Sequence, residues 1–209
     1  MTKKIIVTIA RQYGSGGREI GERLAAILGF PLFDKELITA AASKGNLNEE
    51  VLTRTDESAA NSLLYTLAMG SNIVGTTLHF GYKMPLNDKL FILQSEVIKE
   101  YAKEGSCVII GRCADYVLKD EENIFRIFIY GDIEHRKERI QNRHPEIKSS
   151  QLIDTIIKTD RRRASYYNFY TGNKWGKYDN YDIAVNSSTL GIEGTAEMLA
   201  KCIQNILEK

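Results

Sequence analysis

Near its start the chain reads Ile5-Ile6-Val7-Thr8-Ile9, runs through Ala10-Arg11-Gln12-Tyr13-Gly14-Ser15-Gly16-Gly17, and continues into a segment where Ile20, Leu24, Ile27 and Leu28 recur at helical spacing until Gly29. A strand that is apolar and β-branched at nearly every position has to be buried on both faces, as a central strand of a parallel sheet is. Glycines at 14, 16 and 17 let successive backbone N–H groups curl inward, and the helix that follows adds the positive end of its dipole. Such a turn binds anions, phosphate above all, so Gly14, Ser15, Gly16 and Gly17 are the expected cradle.

The common phosphate loop reads G-x-x-x-x-G-K-[ST]. Here Arg11 stands at the first glycine position and Gly17 at the lysine position, while Glu19, or Arg18 in a register one residue shorter, replaces the hydroxyl residue that holds magnesium. Arg18 is the nearest cation able to replace the lysine charge, and Arg11 is a second candidate. A dinucleotide turn, G-x-G-x-x-G with an acid after the second strand, is met by Gly14, Gly16 and Asp34 but fails at Glu19.

Beyond the first helix, strands and helices alternate. Strands are expected at 30–33, 107–110, 124–130 and 181–185, and helices around Leu37–Ala41, 90–101, 133–142, 149–167 and 192–207. Residues 45 to 87 read as an insertion, with helical segments near 49–52 and 59–69 and a loop from Gly70 to Pro85. Alternation of this kind predicts a single α/β domain over 1–209, with five parallel strands between helical layers and ligands at the carboxyl ends of the strands.

The 28 basic and 27 acidic residues nearly cancel, so no global field recruits nucleic acid or a membrane, and a basic site must be local. No apolar run approaches the ~20 residues of a membrane span. The stretch after the basic N-terminus is too short for a secretory signal. Cys107, Cys113 and Cys202 lack metal-ligand spacing, as do the three histidines, so no metal site is expected and a reducing cytoplasm is.

Arginines supply the local charge. Arg136, Arg139 and Arg143 fall near helical spacing after the fourth strand, and Arg161, Arg162 and Arg163 follow near the end of the long helix, with the turn His144-Pro145-Glu146 between. Two arms bearing arginines suit a kinase lid, because phosphoryl transfer needs positioned cations and exclusion of water more than covalent help. The aromatic run Tyr166 to Trp175 beside them suggests a hydrophobic cluster under a long loop, or a surface that packs on a base.

Taken together, Ile9 to Gly17, Leu28-Gly29-Phe30 with Asp34, Ile110-Gly111-Arg112-Cys113-Ala114-Asp115-Tyr116, and Asp160 to Trp175 with Asn180-Tyr181-Asp182 resemble the cytidylate-kinase-like family, a divergent branch of the nucleoside monophosphate kinases. The resemblance implies a three-layer P-loop kinase fold with a helical monophosphate-binding region at about 35–104 and a lid at about 141–175. It implies ATP and Mg2+, with nucleotides as ligands and a CMP-like or other small phosphorylated acceptor. Where authentic cytidylate kinases carry Gly-Lys-Gly-Thr, this chain has Gly17-Arg18-Glu19, and Gly-Arg-Asp after the third strand becomes Gly111-Arg112-Cys113. The site expected on this basis has Gly14 to Arg18 on the donor phosphates, Asp34 and Arg112 on the acceptor, and Arg18, Arg139, Arg143, Arg161 and Arg163 on the charge of the transition state. The altered loop leaves a second expectation, a nucleotide-binding or regulatory protein that keeps the fold and has lost the reaction.

Overall fold

The computed structural model describes residues 4–34, 36–45 and 85–208. The helical segments expected near 49–52 and 59–69, and the loop from 70 to 84, lie outside the described residues. β1 (Ile6–Arg11), β2 (Leu32–Phe33), β3 (Cys107–Ile110), β4 (Ile124–Tyr130) and β5 (Ile183–Asn186) form one sheet in the order β2-β3-β1-β4-β5. All four pairings are parallel, and β1 is central, with Ile6 opposite Cys107 on one side and Ile124 on the other.

The period-two alternation of β1 divides the core in two. Ile5, Val7 and Ile9 face α1 (Gly17–Leu28) and α7 (Ser187–Leu207), where they meet Ile20, Leu24, Leu199 and Ile203. Ile6 faces the opposite layer, made by α2 (Glu36–Gly45) and α3 (Leu86–Glu104), and packs with Leu37, Val97 and Ile98. A three-layer α/β/α sandwich results, and it explains why the first strand could carry apolar residues on both faces, with Thr8 the polar residue among Ile5 to Ile9.

The remaining helices crowd the carboxyl edge of the sheet. α4 (Ala114–Val117) follows β3, α5 (Ile133–Arg143) follows β4, and α6 (Leu152–Thr171) returns across the edge after a 3-10 turn at Ser149–Gln151. α6 runs four residues beyond the expected end near Tyr167. The reason is packing: Tyr166 and Tyr167 bury against Cys113, with Phe91, Tyr116, Tyr170 and Trp175 around them, so the expected aromatic cluster forms with Tyr166 to Tyr170 on the helix and Trp175 in the turn after it. Gly172, at φ 71°, closes that helix. α7 starts at Ser187, five residues before the apolar periodicity becomes readable. Asn186 caps it by accepting from the Ser188 amide, and Gly191 interrupts it at φ 66°.

Candidate functional site at the carboxyl edge of the sheet

The phosphate loop joins β1 to α1. Gly14 and Gly16 sit at φ 79° and 77°, left-handed conformations natural to glycine, and Gly16 is the residue on which α1 begins. Gly16, the N-cap, has no side chain with which to cap that helix, which leaves its first amides without an N-cap acceptor. Ser15 is buried and its hydroxyl donates to the Gln12 carbonyl at 2.9 Å, which stabilises the curl from within.

Distant segments hold the loop from outside. The Tyr13 amide donates to Asp160 Oδ1 at 2.7 Å, and Arg136 Nε donates to the Tyr13 carbonyl at 2.7 Å. Arg136 also donates to Gln12 Oε1, which accepts from the Gly131 amide as well, each at 3.2 Å. Arg136 and Asp160 close the circuit as an ion pair whose side chains are 7% and 16% exposed. Ser187 Oγ donates to the Ser15 carbonyl at 2.6 Å, and Arg163 Nη1 to the Arg11 carbonyl at 3.0 Å. Residues 136 and 160 thus act first as clamps on the loop, a role that helical spacing alone did not reveal.

The structure places the sequence candidates in three groups. Arg18 turns away along the start of α1, its Nε 3.1 Å from Glu22 Oε1 and 3.2 Å from Asp34 Oδ2. Asp34, buried at the end of β2, is therefore joined to Arg18. Arg139 Nη2 lies 2.8 Å from Glu19 Oε2, and Arg143 pairs with the same carboxylate, so both arginines converge on the first turn of α1. Arg163 and Arg112 form the third group, whereas Arg161 lies on the exposed side of α6.

The third group lines a narrow cleft of about 30 Å³, partly open to solvent, together with Arg11, Gly111, Asp115, Tyr166 and others. Here Gly111, Arg112 and Cys113 take φ 72°, 58° and 55° in succession. Two non-glycine residues in this region are costly, each by roughly 1–2 kcal/mol, and such strain concentrates at functional sites. Arg112 is only 7% exposed. Burial pulls its pKa down to about 10, Arg11 and Arg163 push in the same direction, and Tyr166 and Asp34 oppose them. It is still cationic at neutral pH. Asp115, next to this turn, is buried and accepts from the Tyr167 hydroxyl at 2.7 Å. Burial holds its carboxyl above the usual range despite that bond and the backbone amides it meets. Three guanidiniums around one cleft call for an anion of high charge.

The site tests poorly as a protein-held metal centre. Among the described residues no group of three or more His, Cys, Asp or Glu could hold an ion. The residue at the hydroxyl position is Arg18 or Glu19, and both are engaged in ion pairs. No helix among the described residues is long and apolar enough to cross a membrane.

Residues 6–189 match the profile of the cytidylate kinase-like family. The chain belongs to that family. It is 32% identical over 108 residues to a cytidylate kinase of Methanococcus aeolicus, a match covering 51% of this chain and 60% of that relative's length. An uncharacterised protein from Eubacterium ventriosum superposes with a TM-score of 0.69 at 25% identity, over 96% of this chain and 99% of that one. The shikimate kinase of Bacteroides thetaiotaomicron shares the fold at a TM-score of 0.56 and 14% identity, over 97% and 99% of the two chains. The three-layer sandwich is therefore a P-loop kinase fold. The loop of this chain has the glycine curl and no lysine.

Proposed function

We propose that this family member transfers a phosphoryl group from ATP to a small acceptor that already carries a phosphate, a nucleoside monophosphate such as CMP being the leading case. The observation that carries the reading is the convergence of an uncapped, glycine-rich helix start with Arg11, Arg112 and Arg163 along one edge of the sheet. In this reading the amides of Gly14, Ser15, Gly16, Gly17 and Arg18 hold the donor phosphates. Arg112, buried and strained into the cleft, holds the acceptor phosphate, with Asp34 on the same side, steered by Arg18. An acceptor phosphate oxygen attacks the terminal phosphorus while the bond to the bridging oxygen breaks and ADP leaves; a dianionic acceptor has no proton to surrender. Arg163, with Arg139 and Arg143 released from Glu19, stabilises the charge that spreads over the transferring group. Arg161 is in the same helix and faces solvent, so its contribution depends on closure of the segment at about 141–175. Mg2+ would enter on the nucleotide phosphates with its own waters, as this ion commonly does.

Calorimetric titration with nucleoside mono- and triphosphates, with and without MgCl2, followed by product analysis on the pairs that bind, tests the reading. Binding of a triphosphate together with a monophosphate, and formation of ADP with a diphosphate product, is the expected outcome. No triphosphate binding at millimolar concentration sinks it. A second reading, a nucleotide-binding regulator without turnover, is favoured by one observation: Arg18, the cation nearest the lysine position, is already tied to two carboxylates. Binding of both ligands with no transfer decides for it.

A further inference from the structure

Set against the common loop, position 17 carries no lysine and position 11 no glycine, and the structure relates the two differences. A Cβ built on Gly17 would lie 2.5 Å from Arg11 Cβ and 3.0 Å from Arg11 Cγ. Real Cβ atoms do not approach so closely, so the side chain of residue 11 leaves the backbone through the space that a side chain at position 17 would need. The far end of Arg11 is accommodated in the same way. A Cβ on Gly111 would lie 2.2 Å from Arg11 Nη1, and Gly111 sits at φ 72°. The arginine thus extends from the phosphate loop to the turn after β3, through space that two glycines leave open. It ends in the cleft that Arg112 and Arg163 also line. Its backbone is fixed there as well, since Arg163 Nη1 donates to the Arg11 carbonyl at 3.0 Å.

We propose that Arg11 is the phosphate cation of this loop, and that glycine and cation have exchanged places between positions 11 and 17. The proposal rests on the donor-site reading above and names the residue that completes it. A lysine contributes a compact point charge on a flexible stem; a guanidinium contributes a planar fork that grips two oxygens at once. Placed between the helix start and Arg112, that fork lies between the donor site and the acceptor site, where it contacts the transferring phosphoryl group. Arg18 is then released from the lysine's task and orients Asp34.

ATP binding in the presence of MgCl2, measured by calorimetry, tests the exchange. Arg11→Ala is expected to weaken binding about tenfold to a hundredfold, the worth of a charge-assisted hydrogen bond. Gly17→Ala is expected to weaken it too, because the new methyl displaces Arg11. The decisive variant is the reciprocal pair Arg11→Gly with Gly17→Lys, which rebuilds the common loop. It is expected to regain most of the affinity that Arg11→Gly alone loses. If Gly17→Lys alone fails to fold, Arg11→Ala and the pair still decide, with thermal midpoints as the folding control. Wild-type protein that binds ATP, with affinity unchanged by Arg11→Ala, overturns the exchange and leaves the donor reading standing. So does a loss seen in Arg18→Ala and not in Arg11→Ala. Wild-type protein that binds neither ATP nor inorganic tripolyphosphate overturns both.

Discussion

Two turns meet at the carboxyl edge of the sheet, and they reach left-handed backbone by opposite routes. The turn after β1 places glycine at its positive-φ positions, 14 and 16, and hydrogen bonds from α5, α6 and α7 then hold it. The turn after β3 places only one glycine there and forces Arg112 and Cys113 into the same region. The first turn is cheap in backbone energy and depends on its clamps. The second is strained, and packing against Tyr166 and Tyr167 holds it. A cradle made of amides needs flexible residues in the loop itself, whereas a turn that presents a particular side chain needs that side chain even where its backbone resists.

The comparison can be broken at its clamps first. Asp160→Ala removes the partner of a largely buried guanidinium and the acceptor of the Tyr13 amide, and it should cost about 3–5 kcal/mol, read from urea unfolding. A cost below about 1 kcal/mol would mean that the loop keeps its shape unaided. Gly14→Ala comes next. Its methyl would lie 2.9 Å from the Arg136 carbonyl oxygen, at φ 79°, so roughly 2–4 kcal/mol of strain and overpacking is expected. Arg112→Gly should act in the other direction, relieving a left-handed residue and a desolvated charge. A gain of about 1 kcal/mol in stability, together with loss of monophosphate binding, is the outcome that would confirm strain held for function. Equal or lower stability would say that Arg112 is a structural member of the turn.

The smallest effect is in pH dependence. The Asp115 carboxyl is raised above its ordinary 3.8 by burial, so the folded state holds its proton at pH values where the unfolded chain has released it. The folded state then binds more protons than the unfolded one, and stability falls as pH rises from 3.8 through the raised value. In Asp115→Asn that decline is expected to vanish, so the stability of the variant relative to wild type should climb between pH 4 and pH 7. Parallel stability curves for the two proteins over that range would remove this contribution.

Much of this architecture was legible in the residues, for identifiable reasons. The first strand, the glycine curl and the stop at Gly29 each follow from a local rule; the curl and the stop stand where the pattern placed them, and the strand, expected at Ile5 to Ile9, runs on to Arg11. Alternating strands and helices predicted the five-stranded parallel sheet. The end of α6 was not legible, because Tyr166 to Tyr170 have aromatic side chains that suit a loop as well as a helix until Phe91 and Cys113 are known to face them. The left-handed turn at Arg112 and Cys113 carries no turn signature after its glycine, since long-range packing imposes it. At the site, residue type identified the arginines but not their partners. Arg139 and Arg143 meet Glu19 from more than a hundred residues away, a pairing with no trace in spacing.

The clamps on the glycine loop also determine when it can take shape. Tyr13 is bonded to groups 123 and 147 residues further along the chain, and Ser15 to one 172 residues further. Local glycine geometry permits the curl early, but the bonds that choose this curl among the many a glycine-rich segment can adopt close very long loops and form late. During synthesis the loop leaves the ribosome before the segments that fix it. A nascent chain halted before residue 187 would carry the sheet and the clamps from Arg136, Asp160 and Arg163, yet lack the bond from Ser187, so the loop would gain its last pin only when the start of α7 arrives.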